Sequence, residues 1–368
     1  MIVLKKRRLI ILGIVLILIS SLALCKNNQV KAASRTITDM AGRTLIIPEK
    51  VSKVYSVNPI GTILLYTLAP DRLAGLNWKI TPAERKYTTR EYQQLPVLGG
   101  WFGNNNTGNP EEILSAQPEI VISVGDINKT AITTAEKRQN QLGVPVLLLD
   151  GHLEKLADCY QLIGKVIGEE KRAQELANYC IKAINDIKEK VAGIPQEKRV
   201  RVYYAEGTDG LQTDPQGSRH AEVIDYAGGI NVADVPLKQS CYGRSQTSLE
   251  QLMLWNPDLI IVCFDQGFSK ENSSYNKILS EQNWKQLKAV KNKQVYEIPA
   301  APFNWFDRPP SVNRIIGLKW LANLLYPDIM NLDIEVEVRN FYEKFYHYSL
   351  SKQETKELLV NAKADSLQ

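Results

Sequence analysis

LEKLADCYQLIGKVIGEEKRAQELANYCIKAINDIKEKV, residues Leu153–Val191, is the stretch on which the fold turns. It is helix-prone throughout, no strand-like run interrupts it, and a break is expected near Gly168. Leu176, Cys180, Ile184 and Ile187 recur at spacings of three and four, which draws one apolar stripe along its second half. At about 1.5 Å per residue, Glu169–Val191 alone spans roughly 35 Å. Strand-like runs lie on both sides, so the stretch reads as a spine between two lobes.

A repeat flanks it. On one side Asn109–Ser123 reads NPEEILSAQPEIVIS, and on the other Ser248–Val262 reads SLEQLMLWNPDLIIV. In each, a glutamate opens a short helix, proline follows seven residues later (Glu111 to Pro118, Glu250 to Pro257), and an acidic residue then precedes a buried-type β run. Further strands are expected at Lys53–Val57, Ile120–Val124, Val144–Leu149, Val200–Ala205, Leu259–Cys263 and Gln294–Ile298. Helices are expected at Glu111–Ala116, Thr130–Leu142, Ser218–Ala227, Leu249–Leu254 and Ser311–Leu325, the last opened by Pro309-Pro310-Ser311. The alternation predicts an α/β fold. Its expected parts are an α/β lobe over 36–152, the helical spine over 153–196, a second α/β lobe over 197–347 and a polar tail over 348–368.

Residues 1–32 carry a different signal. Lys5 to Arg8 precede an apolar run from Leu9 to Leu24 broken only by Gly13, Ser20 and Ser21, the pattern of an export signal. Two processing points compete: Val30-Lys31-Ala32 offers small residues for a signal peptidase, and Leu22-Ala23-Leu24-Cys25 approaches a lipobox that would acylate Cys25. An uncleaved anchor is the third alternative, and all three place the remainder outside the cytoplasm. Six of the 45 Lys and Arg fall in 1–32, which holds no acid, so the remaining 39 nearly balance 40 acids. The net charge of +5 therefore belongs to the leader and implies no nucleic-acid partner. Cys159, Cys180, Cys241 and Cys263 show no C-x-x-C spacing, and their disulfide state stays open.

The chain resembles the periplasmic-binding-protein class that receives ferric siderophores, haem and cobalamin for ABC importers. The resemblance covers nearly all of residues 36–347. Its carriers are Thr38-Asp39-Met40-Ala41-Gly42-Arg43 with Ile47-Pro48 and Val54, the two glutamate-to-proline units, Ala227–Ala233 (AGGINVA), and Asn304-Trp305-Phe306-Asp307-Arg308 before a long helix. It implies two Rossmann-like lobes joined by a single backbone helix, a ligand cleft between them, a monomer held near the membrane by a lipid anchor or by the permease, and an ABC permease dimer with its ATPase as partner. A subset similar around Gly99–Gly103 and Asn304–Asn313 is associated with molybdate, tungstate or metal chelates. No intrinsic cofactor is implied; the expected ligand is a metal chelate or a metal oxyanion.

In open α/β sheets, ligands sit beyond the carboxyl ends of the strands. The loops there hold Asn58-Pro59, Trp78, Trp101–Thr107 and Gly125-Asp126 in the first lobe, and Gly207–His220, Ser240–Arg244, Phe264–Gly267 and Ala300–Arg308 in the second. Arg308 suits a carboxylate or oxyanion, and Trp305 and Asn304 beside it are candidate contacts. A local Asp307–Arg308 clamp with the aromatics packed under the last helix is the structural alternative, and Phe303 and Phe306 are expected in the core. Ser240–Arg244 lies six residues before Glu250 and Asn104–Asn106 at the same offset before Glu111, a position that faces the cleft in the resembled class, so Tyr242, Arg244 and Asn105, with Trp101, are candidate contacts; a surface arginine and a core tryptophan are the alternatives. Arg219-His220 opens an expected helix, and His220 is a candidate metal ligand or a helix-terminal hydrogen-bonding group. His152, His220 and His347 are the only histidines, too far apart for a closed zinc pattern. By the same resemblance, Glu111 and Glu250 are expected to meet arginines of the importer.

The Gly-rich dinucleotide fingerprint, G-x-x-x-x-G-K-[ST] and G-x-S-x-G are absent from the sequence. The function expected is solute binding without catalysis. A chelatase-like enzyme would need clustered Cys or His, and a ligand-sensing receptor would lack a neighbouring permease.

Overall fold

The computed structural model describes residues 33–103, 105–236, 244–264 and 273–363. The chain opens with a hairpin the sequence did not announce, β1 (Ser34–Thr38) and β2 (Thr44–Pro48), paired Arg35 to Ile47. The turn residues explain Thr38–Arg43. Asp39 is buried and accepts from the Ala41 and Arg43 amides at 3.0 and 2.9 Å, while Arg43 bridges Asp39 and the Val146 carbonyl. Gly42 turns the chain at φ +78°.

The first lobe holds β3 (Val54–Ser56), α1 (Pro59–Leu68), α2 (Pro82–Tyr87), a short hairpin of β4 (Trp101–Phe102) and β5 (Asn105–Asn106), α3 (Pro110–Ser115), β6 (Ile120–Gly125), α4 (Lys129–Leu142) and β7 (Val146–Asp150). Its sheet is parallel in the order β3-β6-β7. The spine follows as α5 (Leu156–Ile167) and α6 (Glu170–Ala192). They break where expected, at Gly168 with φ +77°. Gly164 lets the pair close, since a Cβ there would lie 2.3 Å from that of Ala173. The buried stripe of α6 is Ala173, Leu176, Ala177, Cys180, Ala183, Ile187 and Val191, with Ile184 at its margin.

The second lobe holds β8 (Arg201–Ala205), β9 (Gln212–Thr213), α7 (Glu222–Tyr226), β10 (Ile230–Asn231), β11 (Ser245–Gln246), α8 (Leu249–Trp255), β12 (Leu259–Val262), β13 (Val295–Glu297) and α9 (Asn313–Leu325). Its own parallel sheet runs β10-β8-β12-β13. The two sheets are separate, and their central strands are buried on both faces, as helix-covered parallel sheets require. One apolar core nevertheless runs from the hairpin through α1, α5, α6 and α9, so a shared helical layer braces both lobes.

The repeat is structural as well as textual. Asn109 and Ser248 cap α3 and α8, Gln117 and Asn256 both take left-handed φ (52° and 44°), and Ile113 and Leu252 occupy equivalent places in the outer cores. The acid after each proline caps the neighbouring strand. Glu119 accepts from the Ser52 and Lys53 amides, and Asp258 from that of Arg201. These bonds hold the Glu119 carboxyl below its usual range although burial opposes ionisation.

The expected polar tail packs against the rest of the fold over its described part. After α10 (Ile334–Phe341), residues 348–363 dock on both lobes through α11 (Lys352–Leu358), which a Ser351–Glu354 capping box opens. The Trp320 indole donates to the Ala362 carbonyl at 2.7 Å, the Tyr348 ring packs edge-on against Tyr87 at 5.3 Å, and Leu359 and Ala362 are buried. Apolar residues at 358, 359 and 362 anchor a segment in which Lys352, Lys356 and Glu357 are exposed. No helix among the described residues is long and apolar enough to cross a membrane.

Candidate ligand-binding cleft

A cavity of about 520 Å³ opens between the lobes, beyond the carboxyl ends of β3 and β6. The first lobe supplies Asn58–Ile60, the end of β6 through Asp126, Trp78 and the tip of the β4–β5 hairpin. One face of α4 adds Thr130, Thr134 and Arg138, residues four apart that line up on a helix. The second lobe closes the cleft with Arg219, His220 and Arg308 to Pro310.

Two helix N-termini open on this space. The Asn58 side chain caps α1 by accepting from the Gly61 amide and donates to the Val124 carbonyl at 2.7 Å. Asn128 caps α4 by accepting from the Ala131 amide at 2.9 Å. Both ends favour negative charge. Aromatic rings form the wall beside them. The Arg138 guanidinium lies 5.0 Å from the Trp101 ring, and Trp78 meets Phe102 edge-on at 5.8 Å. Trp101 is seated against Gly108, where a Cβ would stand 2.6 Å from its ring. The Trp78 indole donates to Glu84 at 2.8 Å, and burial pushes the Glu84 carboxyl up.

Beneath the opposite wall lies a buried polar cluster centred on Arg308, whose backbone takes the left-handed φ of +55°. Its guanidinium reaches Glu206 and Asp214, each at 2.8 Å, and Asp307 at 3.2 Å. Tyr204 donates to Asp307, His220 Nδ1 lies 3.0 Å from the same carboxylate, and Arg244 reaches Glu206 at 2.8 Å. Burial pushes Glu206 well above the usual carboxylate range, with Asp307 adding to the effect. Burial also opposes ionisation of Asp307, but Arg308 and the His220 and Tyr204 hydrogen bonds outweigh it and hold that carboxyl low. Asp214, His220 and Asp307 bring metal-ligand atoms within 4.8 Å of one another. Arg308 contacts both of these carboxylates, at 2.8 Å to Asp214 and 3.2 Å to Asp307.

Of the residues singled out from sequence, the cleft gathers Trp101, Arg219, His220 and Arg308. Asn304 and Trp305 are corrected to a supporting place. Asn304 Oδ1 accepts from the Phe306 amide at 2.8 Å, shaping the turn that aims Arg308. Trp305 is fully buried, with Gly317 of α9 against its carbonyl, and Phe303 and Phe306 are core as expected. Arg244 turns to Glu206 instead of lining the cleft. Asn105 lies in β5, paired with Phe102. Tyr242, Cys241, Cys25 and the leader lie outside the described residues. Cys159, Cys180 and Cys263 are buried. Sequence reasoning missed Arg138, Glu206 and Asp214; only the Thr130–Thr134–Arg138 spacing after a strand end could have pointed to the first.

Comparison with known proteins agrees with this architecture. A family model described as "Periplasmic binding protein" matches residues 61–302. The molybdate-binding protein MolA of Haemophilus influenzae is 26% identical over 86% of this chain and 92% of its own length. The Fe(3+)-citrate-binding protein YfmC of Bacillus subtilis is 25% identical over 72% of this chain and 78% of its own. The structure of an ABC transporter solute binding protein from Sulfurospirillum deleyianum shares 34% identity and a TM-score of 0.81, over 89% of this chain and 99% of that one.

Proposed function

This chain belongs to the periplasmic binding protein family, and from that premise we propose that it carries an anionic metal complex to an ABC importer. The observation that carries the reading is the make-up of the cleft. Aromatic rings stand on one wall, Arg138, Arg219 and Arg308 reach in from three elements, and two helix N-termini point inward. Its volume of about 520 Å³ suits a chelate, within the roughly 300–1,000 Å³ of small-molecule sites. The hydrogen bond between His220 and Asp307 supports a role for His220 as a ligand to the metal of the cargo. The cationic lining and the likeness to MolA also support a tetrahedral oxyanion such as molybdate or tungstate. The fold delivers its cargo unchanged.

Thermal melts of the exported protein against ferric citrate, ferric siderophores, haem, cobalamin, nickel chelates and molybdate or tungstate test this reading. A binder at 100 times its Kd is expected to add about 2.7 kcal/mol of stability. A melting point unmoved by the whole panel contradicts it.

Glu111 and Glu250 are proposed as the importer contacts. Both are exposed in the first turn of equivalent helices, one on each lobe, as a two-fold partner requires. The Glu250 carboxylate is held low by hydrogen bonds to its own backbone and to Ser248. Glu111→Lys with Glu250→Lys is expected to keep cargo binding and cut uptake by about tenfold or more. Unchanged uptake removes the pair from the docking surface.

A further inference from the structure

Arg219 and Asp126 form the ion pair that spans the cleft. Arg219 precedes α7 in the second lobe, Asp126 follows β6 in the first, and their Nη1 and Oδ1 atoms are 3.0 Å apart. The two ends are unequal. The arginine side chain is 11% exposed, whereas the aspartate is 42% exposed. Room for the guanidinium comes from two glycines: a Cβ on Gly151 would lie 3.0 Å from Nη1, and one on Gly125 would lie 4.0 Å away. Arg219 is thus a built-in, largely desolvated cation with a half-solvated counter-ion. Its buried Nε has no hydrogen-bond partner among the described residues, so the aspartate uses only part of the donor fork.

We propose that Asp126 is an internal surrogate for a carboxylate of the cargo, and that binding replaces it on Arg219. This rests on the reading of the cleft as an anion seat. A carboxylate carried on a chelate takes the Nη1 donor that Asp126 holds, a charge-assisted bond of the same kind. The displaced aspartate loses little, because its exposed side turns to water. The pair then acts as a selectivity filter. Complexes with a free carboxylate compete for Arg219, and complexes without one have nothing to exchange for Asp126 and leave the pair in place.

Calorimetric titration of the exported protein with ferric citrate tests the proposal, using Asp126→Asn, Asp126→Ala, Arg219→Gln and the Asp126→Asn/Arg219→Gln pair. Asp126→Asn is expected to bind about tenfold more tightly than the unaltered protein, because a competing charged hydrogen bond is gone. Asp126→Ala should show the same gain, which keeps the test open if one variant misfolds. The gain should vanish in the Arg219→Gln background. Unchanged, weaker or undetectable binding by the Asp126 variants overturns the proposal, as does a gain that survives Arg219→Gln. The carrier reading is judged apart from this, by the melting panel on the unaltered protein.

Discussion

Arg314→Met is expected to remove about 3–5 kcal/mol from the stability of the fold, read as a fall in the urea midpoint with an unchanged slope. Arg314 stands in the first turn of α9 with no exposed surface. It pairs with Glu222, donates to the Gly151 carbonyl at 2.8 Å and to that of Ser311 at 3.1 Å. Glu222 in turn accepts from the Leu153 amide at 3.2 Å, so one buried pair links the end of β7, the start of the spine and α7. Burial pushes Arg314 down and Glu222 up, each opposed by the other's charge. Removing the cation strands a carboxyl whose folded-state pKa is already raised. A carboxyl so shifted gives up stability as pH climbs, so the loss should be larger at about pH 8 than at about pH 5. Adding Glu222→Leu should recover much of it, since the penalty comes from the orphaned charge. A loss below about 1 kcal/mol would show that the pair does not brace the lobes.

Arg308→Ala is expected to destabilise by a comparable amount, about 3–5 kcal/mol near neutral pH. The sequence casts Arg308 as a ligand contact with a local Asp307 clamp as its alternative. The structure gives it three carboxylates, Glu206, Asp214 and Asp307, of which Glu206 and Asp307 have no exposed side-chain surface. In the intact cluster Asp307 is held below its usual range, so it adds stability above the unfolded pKa of about 3.9 and loses it as pH falls through the lower folded value. Without Arg308 the folded value rises, because the largest influence lowering it is gone, and the stability Asp307 adds above its unfolded pKa shrinks. The difference between variant and parent should therefore be small near pH 4 and full at about pH 7. A penalty independent of pH would place the effect in packing instead.

Local periodicity made the scaffold readable. Strand runs such as Ile120–Val124 and Leu259–Cys263 are mostly apolar stretches that each follow a proline–acid pair, and Gly168 marks the break in the spine. The repeat was readable because each glutamate, proline and acid does the same local work in both lobes. The cleft was readable only in part. Arg219, His220 and Arg308 follow or precede elements in ways that sequence can place. Asn304 and Trp305 share the same polar-aromatic string as Arg308, but a turn buries them while the arginine borders the cleft, and string order carries no such direction. Arg138 reaches the cleft from the third turn of a helix, and Glu206 and Asp214 meet Arg308 across about a hundred residues of chain. The tail looked polar because its few anchors, among them Leu359 and Ala362, are outnumbered by solvated neighbours.

The most direct measurement is anomalous diffraction from crystals grown with whichever metal complex raises the melting temperature, collected at the absorption edge of its metal. The metal is expected between the Trp101 ring and the Arg219 guanidinium, inside the space the lobes share. A peak on the outer face of either lobe would show that the cleft is not the cargo site.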